Sequence, residues 1–284
     1  MYMNVLVLGA TGMAGHTVAL YFKEKGYNVV SYSRTPFLYC DNIIGDVFET
    51  EKFKSILIGE NFDVVINCIG ILNQNAEKYP EKAVYLNSYL PHLIADTLKY
   101  SKTKLIHMST DCVFAGNSGP YFENSFCDGD TFYDRSKALG EVNDEKNLTF
   151  RNSIIGPDMN ENGIGLFNWF MKQKDQINGF TGAIWTGVTT LTLAKAMEKA
   201  IEQDLCGLYN LVNNESISKY DLLQIFNKYF YDNQFIINGE DKFQLDKSLK
   251  STRNDFLFDV PSYDQMIKEM HDWIIKYKDL YPNY

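Results

Sequence analysis

No stretch of this 284-residue chain approaches the about 20 consecutive apolar residues of a membrane-spanning helix, so a membrane is not expected among its partners. Basic residues are in deficit: 27 lysines and arginines face 36 aspartates and glutamates, for a net charge of −9. That balance argues against a nucleic acid as the main partner, while leaving room for a local basic pocket that takes a small anion. Cysteine is sparse and scattered. Cys40, Cys68, Cys112, Cys127 and Cys206 form no Cys-x-x-Cys pair and no metal-ligand spacing, so they read as free thiols in a reducing compartment, with no metal. There is no internal repeat, no low-complexity tract and no obvious linker. Met1 leads straight into an apolar segment too short, and too soon followed by glycines, for a signal peptide. A cytoplasmic protein is the expectation.

What is present is an ordinary globular composition, over a length that serves one large or two modest domains. Asn4–Leu8 is a valine and leucine run, the mark of a strand buried on both faces of a parallel sheet. Gly9, Ala10, Thr11, Gly12, Met13, Ala14 and Gly15 follow at once. Then come a helical pattern over 16–25, a stop at Gly26 and a second strand over Asn28–Ser33. Strand, glycine loop, helix and strand make a βαβ unit. Its glycines serve a tight turn, close backbone approach to a diphosphate, and close helix–strand packing. The Gly-x-x-Gly-x-x-Gly spacing is one residue off the dehydrogenase fingerprint, and its placement predicts a dinucleotide site.

Ser33 and Arg34 close the second strand, where a carboxylate selects NAD and an arginine accommodates a 2′-phosphate. NADP is therefore the preferred cofactor and NAD the alternative; a solvated Arg34 is the competing reading. Asp46, beside Val47, either meets an adenine amino group or is an exposed loop aspartate. A buried strand over 62–68 ends at Cys68, Ile69 and Gly70, on the sheet edge where open α/β folds bind ligands. Asn87, early in a helical pattern over 83–100, reads as part of that cofactor wall or as a holder of the neighbouring backbone.

A strand over 104–108 delivers Ser109, Thr110 and Asp111, and Tyr133 and Lys137 stand four residues apart beyond it. If Tyr133 opens a helix, Lys137 lies on the same face one turn on. An ammonium there favours the phenolate and lowers the tyrosine from its ordinary pKa of about 10. Such a tyrosine exchanges a proton with a carbonyl or hydroxyl near neutral pH, and Thr110 can hydrogen-bond the same oxygen. In isolation the same spacing is usually a solvated helical face.

The motifs at 9–15, Ser-Thr-Asp-Cys-Val-Phe-Ala-Gly at 109–116 and Tyr-Asp-Arg-Ser-Lys at 133–137 together resemble an extended short-chain dehydrogenase/reductase. The form Ser-Thr-Asp-x-Val-Phe-x-Gly is similar to the dTDP-4-dehydrorhamnose reductases and their sugar-nucleotide relatives. The resemblance runs over nearly the whole chain, more weakly at 207–211 and 246–249. It implies an α/β fold, a Rossmann doubly wound parallel sheet with a smaller C-terminal substrate-binding α/β domain. Residues 1–155 would hold the cofactor, with later segments returning to that domain, and 156–284 would mainly bind substrate. It also implies Thr110, Tyr133 and Lys137 as catalytic residues: hydride reaches a sugar C4 carbonyl, Tyr133 gives the proton, and Lys137 binds the nicotinamide ribose. Ser109 falls beside the cofactor. Asp111, Cys112, Asn152, Trp169 and Trp185 become the candidate substrate contacts, with Asp111 gripping a sugar hydroxyl or fixing its loop. The partner implied is a sugar nucleotide, and members of the family often form homodimers. Two departures stand out: Cys112 where the reductases commonly carry an aromatic residue, and Asn67-Cys-Ile-Gly70 where they tend to have Asn-Ala-Ala.

In the C-terminal half a strand is expected over 148–155, and an amphipathic helix over 166–173 carries Trp169 as a sugar-stacking or core residue. The segment 182–189, dense in glycine, threonine and tryptophan, looks like a substrate loop, and 73–80 a second one. Lys247, Lys250 and Arg253 would meet a diphosphate or balance neighbouring acids. Three rivals remain. A dehydratase usually has Asp-Glu after the threonine, whereas Cys112 follows Asp111 here. An epimerase typically has an acid after the second strand. A non-catalytic NADP-binding subunit, like the regulatory subunit of methionine adenosyltransferase, would share the fold without turnover.

Overall fold

The structure, a computed structural model, describes residues 3–284. Met1, where the reading of the amino terminus begins, lies outside them. The chain lays down β1 (Asn4–Leu8), α1 (Met13–Glu24), β2 (Asn28–Ser33), β3 (Asp41–Ile44), α2 (Thr50–Gly59), β4 (Val64–Asn67) and α3 (Asn73–Lys78). A helical stretch follows as α4 (Pro80–Ala83), a π-helical turn (Val84–Tyr89) and α5 (Leu90–Thr97). Then come β5 (Lys104–Ser109), α6 (Phe132–Ala138), β6 (Leu148–Arg151), β7 (Ile154–Ile155), α7 (Leu166–Phe170), β8 (Gln176–Trp185) and β9 (Val188–Thr189). The chain ends with α8 (Thr190–Glu202), β10 (Gly207–Asn210), β11 (Ile217–Ser218), α9 (Lys219–Phe230), β12 (Ile236–Asp246) and α10 (Tyr263–Lys276).

Seven of these strands form one parallel sheet, in the order β10-β6-β5-β4-β1-β2-β3. Val5 and Val7 of β1 enter a core with Val18 and Phe22 of α1 and Met197 of α8. Leu6 and Leu8 enter a second core with Phe53 and Leu57 of α2 and Leu90 and Ile94 of α5. Alternate side chains of a strand leave by opposite faces, so an unbroken apolar run is what a sheet covered on both faces demands. Strand order reverses at β1 and β4, and the crevice at their carboxyl ends is where such sheets bind ligands. The fold is thus an α/β Rossmann-like sheet. β10 joins it from late in the chain, pairing with β6. β8 pairs with β12 and β11 in a separate three-stranded sheet against which α9 packs.

The C-terminal expectations needed correction. The strand expected over 148–155 breaks at Asn152 and Ser153 into β6 and β7, which belong to different sheets. The expected substrate loop over 182–189 is the end of β8 and all of β9. Along β8, Ile177, Gly179, Ala183 and Trp185 are buried, a period of two that its glycines and threonines hide from a reading by composition. The second expected loop, 73–80, is mostly α3.

Candidate functional site

A cleft with two lobes opens at the carboxyl ends of the central strands. Both lobes share Gly12, Cys68, Ile69 and Gly70. The first lobe is walled by Gly9, Thr11, Ser33, Arg34, Asp46 and Val47 from the sequence-predicted set, together with Tyr32, Gly45, Phe48 and Leu86. Gly9 has φ +78°, a conformation that penalises any side chain. A Cβ on Gly15 would lie 2.2 Å from the Gly9 carbonyl oxygen, so loop and helix close on each other only as glycines. Gly12 caps α1 without a side chain, and no acid occupies the first turn. The N–H groups at that helix end therefore have no side-chain cap, a setting that suits an anion. Arg34 is exposed at the rim, and Asp46 Oδ1 accepts a hydrogen bond from the Phe48 N–H at 3.1 Å. The Ser33 hydroxyl is committed to the Thr35 carbonyl at 2.7 Å and serves as wall. A backbone cradle with a cation at the end of β2 fits a phosphorylated dinucleotide.

The second lobe brings Met13, Ala14, Ser109, Thr110, Asp111, Cys112, Tyr133, Lys137 and Asn152 to one wall system. Two local devices place Thr110, Tyr133 and Lys137. After β5 the chain stays extended at Thr110, whose hydroxyl accepts from the Cys112 N–H at 3.2 Å and donates to Asp111 Oδ1 at 3.1 Å. α6 begins with a capping box. The Thr131 hydroxyl accepts from the Asp134 N–H at 3.1 Å, and the Asp134 carboxylate accepts from the Thr131 N–H at 3.4 Å. The helix start is thereby fixed just before Tyr133, and Lys137 follows one turn on, both side chains buried. The sequence signal for this cap is Thr-x-x-Asp spanning the tyrosine, Thr131 to Asp134.

The electrostatics overturn one expectation. Burial pushes the Tyr133 phenol up, and a hydrogen bond with Thr110 only partly offsets it. Lys137 does not lower it. Its own pKa falls to about 8 because burial disfavours the ammonium, and Nζ donates to the Met108 carbonyl at 2.6 Å. Tyr133 therefore stands protonated at neutral pH. Burial also raises Asp111, and takes the Cys68 and Cys112 thiols to about 12, which leaves both neutral.

A buried ion pair supports this wall from behind. Arg151 on β6 grips Glu141 bidentately, Nε to Oε1 at 2.9 Å and NH2 to Oε2 at 2.6 Å. Oε1 also accepts from the Ser109 hydroxyl at 2.6 Å. Ser109 thus lines the cleft with its hydroxyl tied to that pair. The only sequence signal for the pair was a charge inside the buried run Leu-Thr-Phe-Arg.

Other candidates move elsewhere. Asn87 lines neither lobe. Its amide brackets Ile71, accepting from the N–H and donating to the carbonyl, each at 2.9 Å, and donates to the Ser136 hydroxyl at 3.0 Å. It holds backbone, because the π-helical turn buries it between the Ile71 loop and α6. Trp169 is turned outward, 43% exposed, while Phe167 and Phe170 on either side take the core; Ile164 and Gly165 reach the cleft instead. Trp185 packs in the core against Tyr263, ring centroids 5.7 Å apart. Arg253 is spent on Asp255 and the Cys206 and Leu208 carbonyls. Asn152 stays in the cleft, buried, with no partner for Oδ1 among the described residues.

A model described as the RmlD substrate binding domain matches residues 3–269. The dTDP-4-dehydrorhamnose reductase of Escherichia coli (strain K12) is 28% identical over 231 residues, covering 77% of this chain and 75% of the relative. The methionine adenosyltransferase 2 subunit beta of Xenopus laevis is 27% identical, covering 77% and 70%. A 32% match to the "Probable low-salt glycan biosynthesis reductase" of Haloferax volcanii covers 49% of this chain and spans only 48% of that relative's length. Among solved structures, a Bacillus anthracis dTDP-4-dehydrorhamnose reductase in complex with NADP superposes with a TM-score of 0.79 at 18% identity, over 96% of this chain and all of the other.

Proposed function

The chain belongs to the RmlD substrate binding domain family, and from that premise we propose that it is an NAD(P)H-dependent sugar-nucleotide reductase acting on a 4-keto-6-deoxy sugar. The observation that carries this reading is the single cleft in which Thr110, Tyr133 and Lys137 continue directly from the Gly9–Gly15 cradle. The residues of the first lobe would hold NADPH, whose nicotinamide supplies the hydride. The buried phenol of Tyr133 gives its proton to the sugar C4 oxygen, and the Thr110 hydroxyl, turning its proton from Asp111 to that oxygen when sugar is bound, holds it in line. Lys137, whose pKa lies near 8, supplies positive charge beside the phenol and binds ribose hydroxyls. Cys112 and Asp111 border the sugar, and residues 156–284 mainly supply its remaining surroundings.

The test is NADPH consumption by the purified chain against a panel of 4-keto-6-deoxy sugars linked to dTDP, UDP, GDP and CDP. Turnover with one member supports the reading and names the substrate. Tight NADPH binding without consumption of any member would replace it with the binding-subunit reading suggested by the Xenopus relative.

Two residue-level expectations follow from this geometry. Arg34→Ala should weaken NADPH binding roughly 10- to 100-fold, the worth of one charged hydrogen bond, and leave NADH binding nearly unchanged. Fluorescence titration with both nucleotides measures this, and equal losses would remove Arg34 from the 2′-phosphate. Asn152 has a buried acceptor awaiting a donor, and a sugar hydroxyl provides one. Asn152→Ala should raise KM for the sugar nucleotide about tenfold with the NADPH Kd unchanged; an unaltered KM would show that the amide is only wall.

A further inference from the structure

Behind the cleft, a chain of three hydrogen-bonded side chains has a polarity that the backbone fixes. The Ile69 N–H donates to Asn67 Oδ1 at 3.1 Å. Only an oxygen can accept there, so the other end of that amide, its NH2, faces His107 Nδ1 at 3.2 Å. His107 is fully buried and its pKa lies well below the ordinary histidine value, by burial first and by the Lys137 charge second, so the ring is neutral. A neutral imidazole that accepts at Nδ1 carries its proton on Nε2. That nitrogen lies 3.5 Å from Lys137 Nζ.

An N–H pointed at an ammonium is a donor facing a donor. The contact disfavours the ammonium and suits the amine left when it gives up its proton: one N–H still donates to the Met108 carbonyl at 2.6 Å, and the freed lone pair turns to His107. We propose that His107 is a positioning residue which presents an Nε2–H to Lys137, making the lysine a cation that loses and regains its proton readily instead of a permanent one. The proposal deepens the reductase reading, and rests on it for its role in turnover. The groups facing Lys137 are His107 from β5, the neutral Cys68 thiol after β4, the Glu141 carboxylate beyond α6 and Tyr133 on its own helix. Those facing His107 are Lys137, Asn67 and, at longer range, His92 of α5. Of these, only the Glu141 carboxylate and, more weakly, the Cys68 sulfur draw a proton toward Lys137, and Glu141 is held by Arg151. The chain starts at Ile69, which lines both lobes, so displacing that backbone N–H would free Asn67, let His107 take its other tautomer and strengthen the charge on Lys137.

The test uses the full-length, ligand-free protein and needs no turnover. Long-range ¹H–¹⁵N NMR reads the tautomer of each of the four histidines, with His107 identified by the loss of its signals in His107→Gln. Nε2–H at pH 7 is the expected state; Nδ1–H would overturn the proposal. In Asn67→Asp the new carboxylate accepts from Nδ1–H, reversing the ring and offering Nε2 to the ammonium. The Lys137 ¹⁵Nζ titration, assigned with Lys137→Arg, should then move upward by at least one pH unit, a tenfold gain in proton affinity. A reversed tautomer with an unmoved lysine would also overturn it. Should Asn67→Asp not fold, the wild-type tautomer alone decides. Failure here leaves the reductase reading standing, and failure of the sugar panel leaves the tautomer result untouched.

Discussion

Tyr133→Phe is expected to cut the rate of sugar reduction by about 10²–10⁴, the usual worth of a positioned general acid. The substitution removes one hydroxyl, keeps the ring that packs with Ala76 and Ala83, and so spares the wall of the cleft. The sugar oxygen would then have to take its proton from water in a site where Thr110 already donates to Asp111. NADPH affinity should change little, because the cradle lies in the other lobe. Single-turnover absorbance at saturating sugar reads the chemical step directly. A loss confined to KM would show that Tyr133 only binds, and an unchanged rate would move the proton donor elsewhere.

The second large effect is on stability. Glu141→Gln leaves the Arg151 guanidinium, 1% exposed, without its carboxylate. Removing one partner of a buried pair strands a charge, at a cost of about 3–5 kcal/mol. For a chain of this size that corresponds to a Tm lower by roughly 10 °C. The remaining neighbours of Arg151 are weak substitutes: the Phe122 and Glu123 carbonyls and Asn210 Oδ1 lie at 3.4–3.5 Å. The Ser109 hydroxyl would keep an acceptor in the new amide, so the loss should concentrate on the arginine. Asp96→Asn, at an exposed pair with Lys99, is the control and should leave Tm nearly unchanged. Equal melting of the two variants would mean that the buried pair is already neutralised by its surroundings.

Local chemistry made the Rossmann half readable. The apolar run of β1 ends at Gly9 because a strand buried on both faces must stop being apolar where a ligand approaches. Gly9 and Gly12, Arg34 and the Tyr133–Lys137 pair then follow at short range along the chain, and the structure puts each of them on the cleft. What the sequence by itself determined was therefore the α/β sheet, the glycine turn at its first strand and the placing of Arg34, Thr110, Tyr133 and Lys137 at the cleft.

Tertiary structure decided the rest, since it depends on what each side chain is packed against. Trp185 looks like a ligand platform in a glycine-rich segment, and only the packing of α10 onto β9 puts Tyr263 against it. Sequence leaves Asn87 open between the cofactor wall and a holder of the neighbouring backbone, and only the π-helical turn, which buries it over Ile71, decides for the second. The sign of the Tyr133 shift was also out of reach. Spacing gives the direction toward Lys137, but burial acts on both groups, and here it holds the phenol protonated while weakening the ammonium meant to ionise it. Desolvation is a property of the assembled site, because it sums over neighbours that the chain brings in from distant positions.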